Sequence, residues 1–152
     1  MYPNYENVVL HFSNSLPLPW IASDTAPSTL DELSASIQKT NTIIVWNGAS
    51  ANTIYSSPQV NHAFRAWHDW CHYSCRFPFN DTGERNTCAL QIRQVYAEFG
   101  FSPQTVLFSQ IIRAEIIGQA DHLYKHGAFP SDQRGFVFAY LDSPSAALSR
   151  RW

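Results

Sequence analysis

For most of this chain apolar side chains recur with a period near 3.6 residues, and that period predicts helices. In Ser28–Lys39 the residues Leu30, Leu33 and Ile37 fall on one face, behind a hydroxyl start and a downstream Glu. Ser57-Pro58, a serine cap with proline in the first helical position, opens a second helix. It runs to about Cys75 with Val60, Phe64, Trp67 and Cys71 on one stripe. Phe77-Pro78-Phe79-Asn80 breaks the pattern, and a third helix follows from Asp81 to Gly100 with Leu90, Val95 and Phe99 as its apolar set. Ser102-Pro103 repeats the cap signal for a long fourth helix that Gly127 ends after His126, and Ser131 to Leu141 is a last amphipathic segment.

The first 27 residues hold four of the nine prolines and little periodicity. They are expected to form an irregular, extended arm that packs its aromatics on the domain, with Val8–Phe12 as a short strand within it. Thr42–Trp46, closed by Asn47-Gly48, has the β-branching of a second strand. The expected architecture is a mainly α, compact multi-helix domain of about five helices with at most one or two short strands. It is read as one domain over residues 1–152, with an arm over 1–27 and a helical core over 28–152.

Composition supports a packed core. The 152 residues suffice to bury roughly two-thirds of the unfolded surface. Apolar residues make up 45% and charged ones 14%, which excludes disorder for most of the chain. Ten Lys+Arg against twelve Asp+Glu give a net charge of −2, and the basic residues are scattered apart from Arg150-Arg151. No nucleic-acid partner is expected, because that would require a strongly basic face. Apolar runs such as Phe136–Leu141 fall far short of the ~20 residues that span a bilayer. The N-terminus lacks the pattern of a signal peptide, and three cysteines make no disulfide framework, so a reducing, intracellular (cytoplasmic) setting is expected.

Chemistry concentrates at His68-Asp69-Trp70-Cys71-His72 in the middle of the second helix. Two histidines one turn apart can reach a single ion, and Asp69 lies at the edge of their face, where it can bind the metal or move a proton. An acid after the first histidine parallels the helix HExxH of zinc proteases, although Asp is one methylene shorter than Glu. Eleven residues separate His72 from Glu84, which gives HDxxH-x11-E with Gly83 before the last acid. This spacing bridges two helices and brings an acid at the start of the third back toward the second.

The HDxxH-x11-E pattern over residues 68–84 resembles the metal-binding signature of the fourth-numbered protein family of coenzyme Q (ubiquinone) biosynthesis. The resemblance implies a mostly helical protein holding a divalent metal, often zinc, at His68, Asp69, His72 and Glu84. It also implies action on a prenylated quinone head group, where the family is linked to removal of the ring carboxylate. Members of that family are appreciably longer than this chain.

Plainer uses of the same residues stand beside this reading. The two histidines can be partly buried helix residues bonded to neighbours, and Asp81-x-x-Glu84 can be a capping box. A second polar stripe, Glu115, Gln119, His122 and His126, interrupts the apolar fourth helix. It either faces solvent or supplies a further ligand or general acid–base, with His122 and Glu115 the candidates. Cys71, Cys75 and Cys88 offer a competing thiolate site, although buried cysteine is ordinary core material. His62 and Arg65 can approach an anionic substrate or lie on an exposed face.

The functional expectation is a metal-dependent enzyme, a lyase, decarboxylase or hydrolase, acting on a small organic or aromatic substrate that resembles a quinone precursor. Zn²⁺ is the first choice of ion, and Fe²⁺ or Mn²⁺ also suit a mixed His/carboxylate set. Asp69, Glu84, His122 and Glu115 are the candidate catalytic residues. The alternatives are a non-enzymatic helical module, binding a protein partner or a second copy with a structural ion or none, and an HD-type phosphohydrolase. The last lacks the usual spacing, since only His62 and Asp121 are available to complete it.

Overall fold

A computed structural model describes residues 3–152 and is mainly helical, with two short parallel strands. The chain divides into two compact units. One comprises the residues up to Ala51 with Tyr55–Gly83, and the other Asn52–Ile54 with Glu84–Trp152.

In the first unit, residues 3–14 form helix α1 (Pro3–Asn14), where the sequence suggests an extended arm and a strand over Val8–Phe12. Tyr5, Val8, Val9 and Phe12 fit the helical period as well as a strand's, and the only proline in the segment stands at its first residue, where no helical donor is lost. The apolar face packs on helix α3 (Pro58–Cys75), with Phe12 stacked on Trp67 at 4.5 Å between ring centroids. Beyond Asn14 the arm is irregular until β1 (Trp20–Ser23).

Helix α2 (Leu30–Thr40) starts at Thr29, whose hydroxyl accepts from the Glu32 amide. The Glu32 carboxylate in turn accepts the amide and hydroxyl of Ser28, which hold its pKa below the ordinary value. Asn41, in the left-handed region, ends the helix, and β2 (Ile43–Trp46) pairs parallel with β1, Trp20 opposite Ile43 and Ser23 opposite Trp46. The β-branched segment is therefore a strand because α2 carries the chain back beside β1. Ile43 and Val45 are fully buried with Leu33, Ile37 and Ala66.

Helix α4 (Asp81–Phe99), which belongs to the second unit from Glu84 on, leads to α5 (Pro103–Arg113), opened by a capping box between Ser102 and Thr105. The helical run expected to His126 is continuous, but Ala114–Gly118 widens into a π-helical turn before α6 (Gln119–His126). Gly118 lies so close to the Tyr140 and Phe136 rings that a Cβ would stand 2.9 Å from Tyr140. Helices α7 (Gln133–Asp142) and α8 (Pro144–Ser149) complete the unit, where Asp132 accepts from the Asn52 side chain at 2.9 Å. Among the described residues no helix is long and apolar enough to cross a membrane.

Candidate metal centre

Helix α3 carries the two histidines on its last turns. Its end is a Schellman motif: the Phe77 amide donates to the His72 carbonyl at 2.9 Å and the Arg76 amide to the Tyr73 carbonyl at 3.3 Å. Arg76 occupies the left-handed position at φ 56°, where glycine is usual. The turned chain brings the Phe77 carbonyl within 2.9 Å of His72 Nδ1. A carbonyl can only accept, so Nδ1 carries the proton and Nε2 presents its lone pair. This is how metal-binding histidines are oriented, through a hydrogen bond from the nitrogen remote from the ion.

His72 Nε2 lies 3.0 Å from His68 Nε2. In a tetrahedral zinc site with Zn–N near 2.0–2.1 Å, neighbouring nitrogens stand about 3.3 Å apart, so the pair needs only a small adjustment to share an ion. His72 is fully buried and His68 half-buried. Phe64 stacks against His68 and Phe79 stands edge-on to His72 at 4.5 Å, which gives both rings an apolar surround.

The third donor depends on how α4 begins. Asn80 Oδ1 accepts the Gly83 amide at 2.9 Å, so Asn80, not Asp81, is the N-cap. The third helical residue is then Gly83, which has no side chain to close a capping box. Glu84 lies one position further on, in the first turn of the helix. Gly83 has its own reason to be there, because a Cβ would fall 1.6 Å from the Pro78 carbonyl oxygen. The turn is closed so tightly that only glycine fits, and Glu84 comes directly after it. One ligand atom from each of His68, His72 and Glu84 lies within 4.8 Å of the others.

Asp69 is half-buried on α3 and lies outside this group. So do Glu115 and His122. Glu115 accepts from the Gln119 amide at 3.0 Å across the π-helical turn. His122 is buried, not on a solvated face, and its Nδ1 stands 2.8 Å from the Ala128 carbonyl.

The remaining candidates have structural uses. Arg65 Nη1 donates to the carbonyls of Trp46 and Gly48, and His62 Nε2 lies 3.1 Å from Ser50 Oγ, so both side chains fasten the loop after β2. Cys71, Cys75 and Cys88 are free thiols. Burial pushes the Cys88 thiol up to about 11, with Arg113 opposing and Glu84 adding to the shift, so it is a protonated core thiol at neutral pH. The sequence did not reveal Asn80 and the Phe77 carbonyl as supports of the site. The Asn before an Asp-Thr-Gly helix start was the one available signal for the former, and a backbone carbonyl has none.

The chain matches no family model, no curated protein and no solved structure.

Proposed function

We propose that this protein is a metal-dependent enzyme whose divalent ion is held by His68 Nε2, His72 Nε2 and the Glu84 carboxylate. The observation that carries the reading is the convergence of these three donors, with the His72 lone pair fixed by the Phe77 carbonyl. The donor set suits Zn²⁺, with Fe²⁺ and Mn²⁺ as alternatives. Three protein ligands favour a catalytic over a structural role, since structural zinc sites commonly take four.

When bound, the ion would polarise an oxygen of the substrate. His68 and His72 would orient it, Glu84 would lower its net charge, and Asp69, beside His68 on α3, would hold or move a proton at its carboxylate. The HDxxH-x11-E resemblance favours a small aromatic, quinone-precursor-like substrate and lyase or hydrolase chemistry. An intracellular, reducing setting belongs to the same reading and suits the three free thiols.

Elemental analysis of protein purified without a metal-binding tag should find close to one divalent ion per chain. Glu84→Gln replaces an anionic oxygen with a neutral one and should weaken zinc binding by roughly tenfold or more. Folded wild-type protein that binds no zinc would overturn the proposal, and equal affinity in wild type and Glu84→Gln would withdraw the family resemblance.

A further inference from the structure

A second histidine pair stands at the end of α6. His122 and His126 are one turn apart, with ring centroids at 4.5 Å against 4.6 Å for His68 and His72. The Ala128 carbonyl fixes the His122 proton on Nδ1. The Leu148 carbonyl, 2.9 Å from His126 Nε2, fixes that ring's proton on Nε2. Each neutral ring therefore donates to a backbone carbonyl and keeps one lone pair, on His122 Nε2 and His126 Nδ1. That is the protonation and outer support that metal-binding histidines adopt.

His122 is 2% exposed, and its Nε2 has no hydrogen-bond partner. A buried acceptor left unmade costs about 1–3 kcal/mol, so the position calls for an occupant. The surroundings are apolar: Phe136 stands edge-on to His122 at 5.5 Å, and Trp152 packs edge-on to Phe136. Neither histidine belongs to a cluster of three metal-competent side chains among the described residues.

We propose that His122 Nε2 and His126 Nδ1 form a second site, for a cuprous ion. Two neutral donors beside aromatic rings suit a monovalent ion of low coordination number. By Born scaling with the square of the charge, a divalent ion would carry roughly four times the desolvation penalty there. Zinc would also need further ligands to reach four. Imidazole is a good copper ligand, and the rings beside it favour a cation.

The test is an anaerobic Cu⁺ titration of Cys75→Ser protein preloaded with zinc, followed through the imidazole ¹⁵N resonances. The substitution removes the exposed thiol, which would compete. His122 Nε2 and His126 Nδ1 should shift together with the first equivalent. His126→Gln keeps an amide able to donate to the Leu148 carbonyl but removes the lone pair, and should weaken Cu⁺ binding by roughly tenfold or more with unchanged circular dichroism. A His122 Nε2 resonance that Cu⁺ does not move, or equal affinity in His126→Gln, would overturn the proposal and leave His122 as a core histidine whose acceptor faces a water. The readout is independent of the first centre, since the resonances of His68 and His72 report on zinc there separately.

Discussion

The ends of α3 and α6 are built from the same local parts. Each has histidines four residues apart, a left-handed residue closing the helix, and an imidazole that donates to a carbonyl just beyond it. They differ in the role of the second ring and in the course of the chain beyond the helix. At α3 the His68 and His72 Nε2 atoms face each other at 3.0 Å, and a turn closed on Gly83 delivers a carboxylate. At α6 the second ring is tied through Nε2 to Leu148, and among the described residues no acid joins the pair. Spacing in a helix sets how far apart two rings stand. The carbonyls that take their protons, and the turn after the helix, decide which nitrogen is left for an ion and what charge the ion meets.

The comparison can be broken most severely at Gly83. Gly83→Ala drives a methyl group into the Pro78 carbonyl and should destabilise the protein by about 3 kcal/mol in urea unfolding, with loss of zinc binding. An alanine variant of wild-type stability would mean that the turn is not closed as described. His72→Ala should weaken zinc binding by roughly 100-fold, whereas His122→Ala should leave it nearly intact. Equal losses in the two variants would erase the distinction between the pairs.

A smaller effect is expected at the cap. Asn80→Ala should cost about 1 kcal/mol of stability and Asn80→Asp almost nothing, while Asp81→Ala, outside the cap position, should be mild. Effects of similar size are expected at the left-handed residues that close α3 and α6, Arg76 and Gly127. Arg76→Gly should raise stability and Gly127→Ala lower it, each by about 1 kcal/mol in thermal melts. Nothing lies within 4 Å of a Cβ at Gly127, so backbone strain alone would be measured there.

Much of the fold was legible because helix signals are local. Ser57-Pro58, Ser102-Pro103 and Gly127 marked ends that the structure places within a residue or so of those positions. The HDxxH-x11-E spacing identified three donors that do converge, since i to i+4 geometry and a short turn constrain them almost completely. Asp69, one position from His68 and about 100° away around the helix, lies outside the group of three ligand atoms, so a metal-ligand role and a proton-transfer role for it are not separated by the spacing alone. The N-cap falls on Asn80, one residue before Asp81, because both are good caps and only the closed turn discriminates between them.

Periodicity, caps and the His–His–Glu spacing were determined by the sequence itself, because each is written within one or two helical turns. Tertiary structure decided the rest. Whether residues 3–14 coil or extend depended on finding the apolar face of α3, and Ile43–Trp46 became a strand only when α2 returned the chain beside β1. Arg65 and His62 were taken up by carbonyl and hydroxyl groups of the loop after β2, at 2.7 Å and 3.1 Å for Gly48 and Ser50. Which imidazole nitrogen keeps its lone pair was settled by the carbonyls of Phe77, Ala128 and Leu148. A backbone carbonyl leaves no mark in an amino-acid sequence, so the ligand atoms become identifiable only when the chain has folded around them.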